Sequence, residues 1–124
     1  MALSRQKLGK LGEQIAKKNL KKKGYRILQT NYHCQAGEID IIAQKKDCLV
    51  FLEVRTKSSL EFGSPEESIT SSKKRKLVST ALSYISTHKE LPSSWRIDVV
   101  AIETNNNGNV KRFDIIENAV TNSE

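Results

Sequence analysis

Two short stretches of this 124-residue chain put carboxylates where buried strands ordinarily carry aliphatic side chains. One is Gly37-Glu38-Ile39-Asp40-Ile41-Ile42-Ala43; the other is Cys48-Leu49-Val50-Phe51-Leu52-Glu53-Val54-Arg55, with Glu53 13 positions after Asp40. An unpaired carboxylate in apolar surroundings costs several kcal/mol or takes up a proton, so charge in such strands needs a partner. Side-chain alternation puts Glu38, Asp40 and Ile42 on one face of the first strand, and Phe51, Glu53 and Arg55 on one face of the second. If the strands are neighbours in a hairpin, Asp40 and Glu53 converge into an oxygen-rich pocket suited to Mg²⁺ or Mn²⁺. The same spacing also allows an ion pair, with Arg55 neutralising Glu53 or Asp40, and by itself it leaves both readings open.

The elements that must position these groups follow from periodicity. Leu8, Leu11, Ile15, Ala16 and Leu20 recur at helical spacing between Ser4 and Lys23, with Gly24 where a C-terminal cap belongs. Gly9 and Gly12 each cost such a helix about 1 kcal/mol, which points to close packing of another backbone. Glu13 falls about 20° around the helix from Leu20, on or beside the buried face. Taken alone, it reads as a surface carboxylate paired with Lys17. A strand over Tyr25–Tyr32 and a turn over Asn31–Gly37 lead into the Asp40 strand, and the Gln44–Asp47 turn joins that strand to the one bearing Glu53. The Thr56–Pro65 loop reads as a lid, a substrate contact or a plain connection.

A second helix is expected from about Ser71 to His88, burying Leu77, Val78, Ala81, Leu82 and Ile85. Its first turn would then hold Lys73-Lys74-Arg75-Lys76, cations that oppose the helix dipole unless a phosphate binds there. Lys73 lies about 40° from Leu77, aimed along the buried face toward the sheet. Ser64-Pro65-Glu66-Glu67 offers an earlier, capped start, but Ile69-Thr70-Ser71-Ser72 is a poor helix former and favours the later one. Strands over Trp95–Ile102 and Val110–Ile116 follow, with Arg96 and Asp98 on one face as a pair. Residues 1–117 form one domain and 118–124 a flexible tail.

Composition bounds the function. Twenty-one Lys and Arg against 14 Asp and Glu give a net charge of +7, which favours a phosphate-bearing partner such as nucleic acid. Lys17, Lys18, Lys21, Lys22 and Lys23 need no ligand, since cations are favoured at a helix C-terminus. Cys34 and Cys48 read as free thiols in a reducing compartment. No apolar run approaches the roughly 18 residues of a membrane span, and no signal peptide is visible, so a cytoplasmic protein without membrane contact is expected.

The order helix, three strands, helix, two strands, with Glu13, Asp40 and Glu53-Val54-Arg55 on it, resembles the restriction-endonuclease-like fold with a PD-(D/E)xK site. Gly12-Glu13, Gly24-Tyr25, Gly37-Glu38-Ile39-Asp40, Phe51 to Arg55, Phe62-Gly63-Ser64-Pro65, Lys73 and Arg96 to Val100 are similar to the bacterial YraN-type family, itself similar to archaeal Holliday junction resolvases. The likeness runs from about Gly9 to Ala119. It implies an α/β fold with a mixed sheet flanked by helices, and a divalent metal, Mg²⁺ or Mn²⁺, on Asp40 and Glu53, with Glu13 binding it through water or orienting its ligands.

Arg55 stands where that motif has lysine. Arginine can stabilise developing negative charge but does not act as a general base, so Lys73, or else Lys57, is the candidate for a lysine-specific role. Lys57, Lys73, Lys74 and Lys76 are the expected nucleic-acid contacts. The proline that usually precedes the aspartate is replaced by Glu38-Ile39; Glu38 would be an auxiliary ligand or a partner for Arg55 or Arg96. The expected function is a metal-dependent endonuclease on DNA, including branched DNA, with a catalytically inactive nucleic-acid-binding module as the alternative. Paired symmetric cleavage would require a homodimer.

Overall fold

The computed structural model describes residues 3–121. Ser4 opens α1 (Arg5–Lys22) by accepting the Lys7 N–H at 3.2 Å, satisfying one of the orphan donors of the first turn. The helix stops where Gly24 takes a φ of +91°, a left-handed conformation that costs glycine little. Gly24 N–H then returns to Lys21 and Tyr25 N–H to Leu20, which is the Schellman arrangement.

Three antiparallel strands follow: β1 (Arg26–Cys34), β2 (Gly37–Lys45) and β3 (Cys48–Lys57). Cys34 pairs with Gly37, so the expected long turn before β2 is only Gln35-Ala36, and His33 and Cys34 end a strand instead of lying in a loop. A 3₁₀ turn, η1 (Glu66–Ser68), precedes α2 (Ser71–Thr87), which Thr70 caps by accepting the Lys73 N–H. Both helix-start signals are therefore used. The Ser64–Glu67 box forms, with Ser64 N–H donating to Glu67 and Glu67 N–H to Ser64, but it yields only the 3₁₀ turn before Thr70 begins the helix.

After α2, β4 (Ser94–Thr104) enters parallel to β3, and β5 (Val110–Val120) returns antiparallel to β4. The sheet order is β1-β2-β3-β4-β5, and the whole is the expected mixed α/β sheet flanked by helices in the order α-β-β-β-α-β-β.

Alternation along β3 divides the core. Val50 and Leu52 pack with Ala16 and Leu20 of α1, while Leu49 and Phe51 pack with Leu77, Ala81 and Tyr84 of α2. The α2 stripe is rotated from expectation: Thr80 and Tyr84 are buried and Leu82 is exposed. Residues 77, 80, 81 and 84 still make one continuous helical face.

The ladder is irregular at both sides of the sheet. Asn31 in β1 and Asn118 in β5 each have a φ of 52°, and register shifts interrupt the pairing of both strands. β5 also runs past the expected end of the domain: Asn118 N–H donates to Asp98 at 2.8 Å and Val120 is buried, so 118–120 belong to the sheet. Residues 122–124 of the expected tail lie outside the described residues. No helix among the described residues is long and apolar enough to cross a membrane.

Candidate functional site

Paired residues of β2 and β3 run from Lys45–Cys48 up to Ile41–Leu52 and no further. Asp40 is the next residue of β2. Its carboxylate Oδ2 accepts the Val54 N–H at 2.8 Å, doing there what a backbone carbonyl would do in a continuing ladder. The alternation breaks at the same point: Ile41 packs toward α1, but Ile39 packs with Ile42 toward α2. Opposite this break on β1 stands Asn31, with its left-handed backbone, between the Thr30–Ile41 and Tyr32–Ile39 pairs. The two strands thus part at Asp40, and a side chain occupies the opening.

Glu53 reaches the same opening from β3 and is buried, at 4% exposure. Burial, the Asp40 charge beside it and a hydrogen bond shared with Asp40 push its carboxyl up to about 7, against the pull of Lys73 and Arg55. Arg55, two residues along the same face, holds Glu53 Oε2 at 2.8 Å. Lys73 Nζ, from the first turn of α2, stands 3.7 Å from that same oxygen. The inward aim read from its helical position is what the structure shows. The convergence of Asp40 and Glu53 and the Arg55–Glu53 ion pair are both present, so the metal and ion-pair readings of the spacing are not exclusive.

Glu13 approaches from the other side of the sheet. α1 comes so close to β3 at Gly12 that a Cβ there would run into Thr56 Oγ1 and lie 2.9 Å from Thr56 Cβ. That approach explains the helix-interior glycine. Burial, with Asp40 next, raises the Glu13 carboxyl, and Lys17 offsets part of the rise. Even so, no three acidic, His or Cys side chains among the described residues stand together as a metal-holding group. The structure joins Asp40 and Glu53 and leaves Glu13 at electrostatic range.

Two carboxylates suit Mg²⁺ or Mn²⁺, because such ions commonly take one or two carboxylates and complete their shell with water and substrate phosphate. The two cations at this opening, Arg55 and Lys73, both lie on Glu53, while Asp40 accepts the Val54 N–H.

The remaining predicted residues distribute over three surfaces. Arg55 and Lys57 line a hollow of about 510 Å³ together with Arg5, Gly9 and Phe62. Lys73 and Lys76 line another of about 370 Å³ with His33 and Glu38. Lys74 faces a third, beside Glu66 and Ile116, and so is not brought together with Lys73. Glu38 pairs with His33 at 3.3 Å, not with Arg55 or Arg96. Arg96 instead binds Asp98 at 3.0 Å, as expected, and also Glu117 and the Tyr25 hydroxyl.

Sequence reasoning missed Arg112. Its guanidinium binds Glu66 of η1, Glu103 of β4 and Asp114 of β5, each at 2.7 Å, and clamps the end of the 58–69 connection to the sheet. Its partner Glu66 is 46 positions away, and no local pattern signals such a contact.

Comparison with known proteins covers the stretch that carries the site. A family model described as Uncharacterised protein family UPF0102 matches residues 12–102, a span that includes Glu13, Asp40, Glu53, Arg55 and Lys73. A UPF0102 protein of Pelotomaculum thermopropionicum is 42% identical over 119 residues, covering 96% of this chain and 99% of the relative. One from Caldicellulosiruptor saccharolyticus is 40% identical over 117 residues, 94% of this chain and 99% of its own. Another, from Dehalococcoides mccartyi, is 42% identical over 120 residues, with 97% and 98% covered. With a match over most of its length, the chain belongs to the uncharacterised protein family UPF0102.

Proposed function

We propose that this protein is a Mg²⁺- or Mn²⁺-dependent phosphodiesterase acting on DNA, built on the restriction-endonuclease-like fold with a PD-(D/E)xK arrangement. The observation that carries the reading is the meeting of Asp40 and Glu53 where β2 and β3 part, with Arg55 and Lys73 both on Glu53. Holding the half-buried Asp40 against the buried Glu53 costs stability, a cost that a bound cation would offset.

Asp40 and Glu53 would hold the ion, with Glu13 orienting the water around it. When bound, such an ion lowers the pKa of a coordinated water and draws charge from the scissile phosphate. Arg55 keeps its proton and acts by charge alone, favouring negative charge as it builds on phosphate oxygens. Lys73 draws Glu53 toward its ionised form against burial and Asp40, and is the group placed to exchange a proton at that end of the site. Lys57 and Lys76, on the hollows to either side, supply phosphate contacts. Preference for DNA and for branched forms rests on the likeness to resolvases, and a cytoplasmic location on the free cysteines.

The test is calorimetry of Mn²⁺ and Mg²⁺ on the wild type and Asp40→Asn, followed in the same samples by cleavage of linear, flapped and four-way-junction DNA. Metal binding lost in the variant, with cleavage by the wild type, is the expected result. No metal binding by the wild type would overturn it.

A second reading has one observation in its favour: Arg55 occupies the lysine position and is tied to Glu53. As a non-hydrolysing DNA-binding module, the protein would show affinity falling with salt by about 0.9 log units per decade for each phosphate neutralised. Asp40→Asn and Glu53→Gln would leave that affinity unchanged.

A further inference from the structure

The loop that leaves the Arg55 end of β3 shows water an aromatic ring that the fold does not use. Phe62 is 85% exposed and Leu60 54%, the two most exposed large apolar side chains among the described residues. A single exposed apolar residue on a protein surface is ordinary. Three features set this pair apart.

First, the ring is held out and not merely left loose. Gly63 N–H closes a turn onto Leu60 C=O at 3.1 Å, with Glu61 and Phe62 as its central residues, and Gly63 itself takes a φ of +99°. Glu61 N–H donates to Ser59 Oγ on the near side. On the far side the reciprocal Ser64–Glu67 bonds and the Arg112–Glu66 pair fix the chain to the sheet. A tip anchored at both ends loses little freedom when it binds.

Second, Phe62 lines the same hollow as Arg5, Arg55 and Lys57, where Glu61 is the one acidic residue. With Arg55 already paired to Glu53, Arg5 and Lys57 still outnumber Glu61, a balance that favours a phosphate chain over a basic peptide or a neutral apolar partner. Third, Arg55 carries this hollow directly to Glu53 and hence to the carboxylate pair. A strand whose phosphates lay along Arg5 and Lys57 would present its next base to the Phe62 ring.

We propose that Phe62, backed by Leu60, is a stacking platform for an unpaired nucleobase, so that the protein selects DNA in which a base is already out of the duplex stack. Stacking on an aromatic ring tolerates every base, since each has a π-face, but a base inside a continuous duplex cannot reach it. The platform therefore reads structure and not sequence. This inference rests on the nucleic-acid part of the function proposed above.

The experiment compares the full chain with Phe62→Ala and Phe62→Trp in EDTA, so that binding is read without cleavage. The probes are a continuous blunt duplex and the same duplex with a central unpaired stretch containing 2-aminopurine, whose fluorescence falls when it stacks. Wild type and Phe62→Trp are expected to quench the probe base. Phe62→Ala should lose the quenching and about 10-fold in affinity for the unpaired substrate, while its affinity for the blunt duplex stays within about twofold. Circular dichroism checks that each variant is folded. Equal affinity of wild type and Phe62→Ala for the unpaired substrate, or equal losses on both substrates, would overturn the platform and leave the nuclease reading standing. Binding of neither DNA by the wild type, in EDTA and again with Ca²⁺ in its place, would remove both.

Discussion

β3 and β4 lie side by side, and each carries a buried carboxylate: Glu53 on one, and Asp98 one ladder step away on the other. Asp98 has everything a buried charge requires. Arg96 Nε donates to both of its oxygens, at 3.0 and 3.1 Å, and Asn118 N–H donates at 2.8 Å. Burial holds the Asp98 carboxyl above its usual range, and the Asn118 and Arg96 bonds offset part of that rise. Glu53 also has two cations, yet a second carboxylate is held against it, and the rise to about 7 survives both. The two sites contain the same chemistry arranged to opposite ends. One is neutralised within the fold and ties β5 to β4; the other presses two carboxylates together, so that ionising both is unfavourable until a further cation arrives.

The largest effect should come from breaking the satisfied pair. Asp98→Ala leaves the Arg96 charge and the Asn118 N–H without their acceptor and is expected to cost about 3–5 kcal/mol in urea unfolding. A loss under about 1 kcal/mol would show that Glu117 replaces Asp98, and the contrast between the two sites would collapse.

Next is the pH dependence of stability in EDTA. Glu53 keeps its proton in the folded state up to about pH 7, against an ordinary value of 4.5. Between these values the folded protein holds a proton that the unfolded chain has released, so stability falls as pH rises, by up to about 3 kcal/mol. Glu53→Gln should lack that part of the decline. If wild type and variant give parallel curves from pH 4.5 to 7.5, Glu53 is not the group responsible.

A smaller effect reaches the same site from behind. Gly12→Ala should gain about 1 kcal/mol of helix propensity but lose more, for a net destabilisation of about 2 kcal/mol. Rotating the Thr56 hydroxyl does not clear the added methyl, because Thr56 Cβ is itself 2.9 Å away. A wild-type melting temperature in Gly12→Ala would mean that α1 can back off β3 freely and that Glu13 is not held in place by that contact.

The smallest effect has the opposite sign. Asp40→Asn keeps an oxygen for the Val54 N–H and removes the like charge, so metal-free stability should rise by about 1 kcal/mol. Destabilisation by that amount would show Asp40 to be a structural residue like Asp98.

What the sequence made legible follows the range of each interaction. The Arg55–Glu53 pair and the Arg96–Asp98 pair are two residues apart on a strand, so alternation alone finds them. Lys73 was found by its angle to Leu77, and the Asp40–Glu53 meeting by assuming a hairpin. The flip of Ile39 was not found, because strict alternation along β2 carries no sign of the left-handed Asn31 that stands opposite on the neighbouring strand. Nor was the extension of β5 to Val120. Glu117-Asn118-Ala119 looks like a fraying end until Asn118 meets a side chain 20 positions earlier. Arg112 was missed for the same reason, over a still longer separation.

The two left-handed asparagines have one more consequence, for how copies of this protein meet. β1 and β5 are the outer strands of an open sheet and expose unpaired N–H and C=O groups to any passing strand. Asn31 and Asn118 each turn the backbone out of the extended conformation partway along those strands, leaving no long, flat rim to extend. Sheet-to-sheet aggregation is discouraged on both sides at once. Copies of this protein would then meet through helices or loops instead of by joining their sheets.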